Sequence, residues 1–303
     1  MRQKPLVCLI GDVFVDLTIK NTISDTKMRL GGIVHAARAL WALNIPYDVA
    51  YFAPAYLDEQ LAKYLVHHGC SNFIKLGNIT GTPNVMLIQE AKEIGDQGYE
   101  YILRDEFNLQ YFSGAVQTII QNEYTDYLLI SGNYDLYSII NQLPRNVHVD
   151  VANNVSTIDD LKKISRNINS IFVSTSSDIF KTYFTDFAEF KQAFKGVADE
   201  LILKENRGGS RSFNFLTETL CLIPSQPRNI VHSVGVGDVF DAAYISGLFA
   251  GQEEKGVFAS WIAAEYAVTC FPDDFKKNVS RVKKSPIQDL IKISGVSVPW
   301  EKR

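Results

Sequence analysis

Short, almost wholly apolar runs alternate with longer helical patterns along most of this 303-residue chain, and that rhythm restricts the fold most. "PLVCLIG" (5–11), "YDVAYFAP" (47–54), "DYLLISG" (126–132), "NVHVDVA" (146–152), "SIFVSTS" (170–176) and "ELILKEN" (200–206) read as strands. Their consecutive apolar residues suit burial on both faces rather than on one. Between them, "IVHAARALWAL" (33–43) is an Ala-rich helical pattern, and "LDEQLAKYLVHHG" (57–69) is an amphipathic one stopped by Gly69. Apolar strands separated by helices predict an α/β three-layer sandwich: a mostly parallel central sheet with helices on both faces.

Two regions break the rhythm. "LTIKNTISDTKMRL" (17–30) and "TPNVMLIQEAKEIGDQGYEYILRD" (82–105) alternate polar and apolar residues, the mark of half-exposed hairpin strands. Inserted into an α/β frame, they predict a small β lid over the carboxyl ends of the sheet strands, where such sheets bind ligands. No linker or repeat divides the chain, so residues 1–303 are expected to form one domain carrying this lid.

Charge and cysteine usage exclude several classes. Lys+Arg 30 against Asp+Glu 34 leaves a net charge of −4, with no basic surplus for nucleic acid. The four cysteines are widely spaced and fit neither a disulfide framework nor a zinc site. The first residues meet Gly11-Asp12 too early for a signal peptide, and no apolar run approaches membrane-spanning length. A cytoplasmic protein that binds neither membrane nor nucleic acid is expected.

One stretch carries chemistry. In "HSVGVGDVFDAAYISGLFAG" (232–251), Gly235 and Gly237 flank Val236, Asp238 follows at once, and a greasy helical run continues to Gly251. Two readings of Asp238 compete. As an N-terminal cap it would bond the helix's free amides. As a general base it would take a proton from an attacking hydroxyl, while the Gly235, Val236 and Gly237 backbone and the helix's positive end form an anion hole for a transferring phosphoryl group. A cap does not need two glycines before it, which favours the base.

This stretch resembles the C-terminal signature of the ribokinase-like (PfkB) carbohydrate kinases, D-[TS]-x-G-A-G-D-x-F, through Ser233, Gly235, Gly237, Asp238 and Phe240. Weaker likenesses follow in the same order along the chain: "GDVFVDL", "LGGIVHAARALWAL", "GTPNVMLI", "LILKENRGGS" and "ASWIAAEYAVT". The resemblance implies the ribokinase-like fold and transfer of phosphate from ATP, with Mg²⁺, to a hydroxyl of a small sugar. It implies that Asp16, Gly31, Gly32 and His35 bind substrate and that Asn206, Gly209, Ser233 and Trp261 border the nucleotide. Arg104, near the end of the second β insert, is placed to reach an anionic substrate or to stand solvated. A homodimer is one assembly it allows. A nucleoside kinase of the same fold, suggested by Phe14, and a non-catalytic binding homologue are the alternatives.

The chain also departs from the family pattern. Aligning "HAAR" with the family's N-x-A-R puts His35 at the asparagine position; aligning the glycine pair directly puts Ala36 there. His232 replaces the opening aspartate, and imidazole is a poor ligand for an alkali ion, so activation by a monovalent cation is in doubt. The family's N-x-x-E, which organises magnesium through water, is replaced in "VSTSSDIF"; Asp178 could supply an indirect carboxylate or take part in a helix cap. Asn206 stands where a turn glycine is usual, a substitution that asparagine's tolerance of positive φ permits.

Overall fold

The computed structural model describes residues 6–18, 26–81, 85–88, 99–101, 108–144, 146–151, 155, 157–164, 168–184 and 186–299. The strands are β1 Val7–Asp12, β2 Val15–Thr18, β3 Lys27–Leu30, β4 Tyr47–Ala53, β5 Phe73–Thr80, β6 Val85–Ile88 and β7 Tyr99–Tyr101. They continue with β8 Asn108–Tyr111, β9 Asp126–Ile130, β10 Val147–Val151, β11 Ile168–Ser174, β12 Ala198–Lys204, β13 Ser210–Asn214 and β14 Thr219–Ile223. The helices are α1 Ile33–Leu43, α2 Asp58–His67, α3 Ala115–Gln121, α4 Leu136–Gln142, α5 Ile158–Leu161 and α6 Asp178–Tyr183. After them come α7 Phe187–Phe194, α8 Val236–Tyr244, α9 Gln252–Ala267, α10 Pro272–Lys284 and α11 Ile287–Ile293.

Ten strands form the large sheet in the order β14-β13-β12-β11-β10-β9-β1-β4-β5-β8. From β12 to β5 every neighbouring pair is parallel, and β8, β13 and β14 add antiparallel edges. The alternation of β1 shows why both faces are covered. Val7 and Leu9 pack into a core with α1, α8 and α9, whereas Cys8 and Ile10 pack into a second core with residues of α3, α4 and α7. The result is the expected three-layer α/β sandwich, with Cys8 and Cys70 buried and all four cysteines free.

The chain enters at β1, adds β4 and β5 on one side, and then returns to add β9 to β12 on the other. That reversal opens a crevice at the carboxyl ends of the strands, the general ligand position in open α/β sheets. β2, β3, β6 and β7 form a separate four-stranded sheet in the order β3-β2-β6-β7. Both irregular regions seen in the sequence therefore contribute to one small sheet, apart from the large one.

Two expectations about elements need correcting. The greasy run after Asp238 is not helical to Gly251: α8 ends at Tyr244, and the next helix begins at Gln252. Gly247 at φ 71 breaks the pattern, since this left-handed backbone cannot continue a right-handed helix. The strand "ELILKEN" likewise stops at Lys204, before a short turn over Asn206–Gly208.

Candidate active site

A cleft of about 1440 Å³ runs along the carboxyl ends of the parallel strands. Asp12 of β1, Ile130 of β9, Val151 of β10, Ser174 of β11 and Lys204 of β12, each the last residue of its strand, all line it. Phe14, Asp16 of β2 and Met86 of β6 wall one end, so the small sheet contributes directly to the cavity. The 225–230 loop and α9 wall the other end.

At the first end the buried carboxylate of Asp16 rests on Gly31, where an added Cβ would lie 2.2 Å from Oδ1. Gly32, at φ 62, precedes α1 and leaves no room for a side chain beside the Asp12 carbonyl. His35 follows on α1 and also lines the cleft, whereas Ala36 is fully buried. The imidazole is fully engaged. Arg38 Nη1 lies 3.0 Å and Tyr266 Oη 2.7 Å from His35 Nδ1. Guanidinium can only donate, so Nδ1 accepts and Nε2–H donates to Asp16 Oδ2 at 2.8 Å. Burial pushes the imidazole pKa down to about 4 despite Asp16, so His35 is neutral. Both nitrogens being spent, His35 orients Asp16 and offers no free donor to a ligand.

In the middle, Gly235 at φ 71 is the N-cap of α8, with no side-chain cap bond. The cap reading of Asp238 fails here: Asp238 sits inside the first turn of α8, and the cap position belongs to Gly235. The first helical bond runs from the Val239 amide to the Gly235 carbonyl, and the Val236 amide folds back on the Ser233 carbonyl at 3.3 Å. The amides of Gly237 and Asp238 are therefore the ones a helix start leaves available to an anion. Gly235 is packed against His35, for a Cβ there would lie 2.1 Å from the imidazole Cγ.

Behind this turn lies a cluster that sequence reasoning missed. Carboxylate oxygens of Asp150 (β10), Asp238 and Asp241 (α8) all fall within 4.8 Å of one another. The ammonium of Lys204 stands among them, 2.7 Å from Asp241 Oδ2 and 3.0 Å from Asp150 Oδ2. Burial opposes its charge, but Asp150 and Asp241 outweigh that and push the Lys204 pKa up. Burial, with Asp150 adding to it, pushes the Asp238 pKa up to about 8 against the pull of Lys204. No spacing motif links positions 150, 204 and 241; the strand ends Val151 and Lys204 were the only hint, since such ends gather at one crevice.

At the far end, Asn206 adopts φ 52 as expected, and Gly209 at φ 93 lies against the Ile223 carbonyl; both line the cleft, as does Ser233. Trp261 does not. It is buried, with Nε1 donating to the Leu290 carbonyl and to Ser294 Oγ. Ser260, Ala263, Ala264 and Ala267 line the cleft instead, the one-sided stripe of a helix, and Trp261 is turned about 100° away from it.

His232 is buried and donates from Nε2 to the Thr269 carbonyl at 2.8 Å. Burial pushes its pKa down to about 3, so a neutral ring occupies that position. Asp178 opens α6, next to the cleft-lining Ser177; its side chain lies outside the described residues, and so does the whole of Arg104.

No protein-family model and no curated protein matches the chain. Solved structures do. A putative ribokinase II from E. coli in complex with ATP and Mg²⁺ superposes with a TM-score of 0.66 at 14% identity, covering 95% of this chain and 99% of that one. The tetrameric inhibited form of phosphofructokinase-2 from Escherichia coli gives 0.63 at 14% identity, covering 93% and 100%. Arabidopsis thaliana ribokinase with ribose and ATP gives 0.60 at 16% identity, covering 94% and 100%. The chain has the ribokinase-like fold.

Proposed function

We propose that the protein is an ATP-dependent phosphotransferase acting on a hydroxyl of a small sugar-like molecule. The observation that carries this reading is the position of Asp238. It stands in one cleft between an oriented carboxylate, Asp16, and the small-residue face of α9, at the start of a helix with two available amides. Asp16 accepts hydrogen bonds from acceptor hydroxyls, and the α9 end takes the nucleotide. The Asp238 carboxylate removes the proton of the attacking hydroxyl as its oxygen bonds to the terminal phosphorus. The bond from that phosphorus to the bridging oxygen breaks, and ADP leaves with the electron pair. The Gly237 and Asp238 amides face the charge on the transferring group.

The magnesium expected with ATP does not fit the carboxylate cluster, because Lys204 already holds the place among Asp150, Asp238 and Asp241. What the chain itself supplies is the base, the glycine turn and a fixed ammonium. The small sheet serves as a lid, supported by Asp16 and Met86 facing the cleft. No helix among the described residues is long and apolar enough to cross a membrane.

A nucleoside acceptor is the second reading, favoured by Phe14, whose ring lines the acceptor end. ADP release measured across sugars, sugar phosphates and nucleosides tests both. Turnover of a sugar supports the first reading and turnover of nucleosides alone the second. Silence across the panel leaves a binding protein on a kinase fold.

A further inference from the structure

We infer that Lys204 is the resident cation of the acidic cluster beneath the glycine turn, holding by a covalent tether the place a divalent ion would otherwise take. Its catalytic consequence rests on the phosphotransferase reading; its occupancy of the cluster does not. Three observations carry the inference. Asp150 and Asp241 are both buried, at 3% and 0% exposure, and their carboxylates together with that of Asp238 are close enough to share one ion. Lys204 Nζ contacts two of the three directly. A Cβ placed on Gly237 would meet that same Nζ at 3.3 Å, so the ammonium lies directly behind the turn whose amides await an anion.

Buried carboxylates this close cannot all stay ionised without a cation among them. A metal would satisfy them but would come and go with its concentration. Lys204 arrives on the end of β12 with the fold and brings one positive charge, which the cluster keeps before any ligand binds. Lys204 is thus a positioning residue: it fixes the Asp150 and Asp241 carboxylates and sets a positive charge behind Gly237, where negative charge develops during transfer.

The test is a Mn²⁺ titration of the nucleotide-free protein, with free Mn²⁺ read by electron paramagnetic resonance. The wild type is expected to bind no equivalent that Asp241→Asn removes. Lys204→Met, close in volume but uncharged, should gain one equivalent of Mn²⁺ and lose it again when combined with Asp241→Asn. Lys204→Arg should gain none. In turnover, Lys204→Met should lower kcat on the order of 10²-fold while acceptor KM hardly changes, since Asp16 is untouched. A wild-type Mn²⁺ equivalent abolished by Asp241→Asn would overturn the inference, as would a Lys204→Met protein with native circular dichroism and no gained Mn²⁺. The wild-type arm decides even where Lys204→Met does not fold. A chain without kinase activity would sink the functional reading and leave the Mn²⁺ result standing.

Discussion

Asp238 is a carboxylate whose ionisation the fold resists. Burial and Asp150 push its pKa up to about 8, so at pH 7 the base is mostly protonated in the free protein. kcat/KM should therefore rise with pH along a limb centred near 8 rather than near 4, which a pH–rate profile on the identified acceptor will show. Stability runs the other way. Between the ordinary carboxylate range and pH 8 the folded state holds a proton that the unfolded chain has lost, so raising pH across that window lowers stability. Asp238→Asn removes that slope along with the base. Its turnover should drop by ~10²–10⁴ while urea unfolding above pH 8 shows equal or greater stability. A fully active Asp238→Asn enzyme would end the base assignment.

His35 separates what spacing reveals from what it hides. Its place near the cleft was legible from "LGGIVHAARALWAL", but its duty was not. That duty depends on Arg38, one helical turn away, and on Tyr266, 231 positions along the chain, which together claim Nδ1. A hydrogen bond to a charged group contributes about 1.5–3 kcal/mol. His35→Ala should accordingly raise acceptor KM by roughly 10- to 10²-fold with a smaller change in kcat. The opposite split, with kcat lost and KM kept, would place His35 in the transfer step itself.

Among elements, the glycine turn before α8 is the most restricted. Gly235 combines φ 71 with contact against the imidazole of His35, so an alanine there meets both left-handed backbone strain and a ring that is pinned on two sides. Left-handed backbone costs a residue with a Cβ roughly 1–2 kcal/mol, and the clash adds to it. Gly237 lacks the positive φ, and its added Cβ would meet only the Lys204 ammonium, at 3.3 Å. Gly235→Ala should thus melt several degrees below Gly237→Ala and also raise acceptor KM, because it displaces the clamp on Asp16. Equal melting temperatures would contradict this packing. Periodicity located α1 to the residue, since Gly32 and Asn44 mark its ends in the sequence. It said nothing of where Trp261 points, since only the packed helix shows its indole turned toward Leu290 and Ser294.

Over the whole molecule, the parallel core was readable because strands covered on both faces run apolar at consecutive positions, as Val7 to Ile10 do in β1. The antiparallel edges were less so: β14 exposes Leu220 and Leu222 and buries Ile223, which breaks the pattern a buried strand shows. The small sheet was legible as alternation, yet nothing in either segment said that β2 and β6 would pair in parallel, since 70 positions separate the partners Asp16 and Met86 along the chain. That pairing puts Asp16 and Met86 side by side at the acceptor end of the cleft. If the sheet excludes water from the transferring group, its apolar contribution there is Met86, and thinning that wall admits water as a competing acceptor. Met86→Ala should increase ADP release in the absence of any acceptor severalfold, while leaving Asp16 and its hydrogen bond to His35 in place. Acceptor-independent hydrolysis unchanged from the wild type would show that water is held off elsewhere, and the small sheet would then bind the acceptor without covering it.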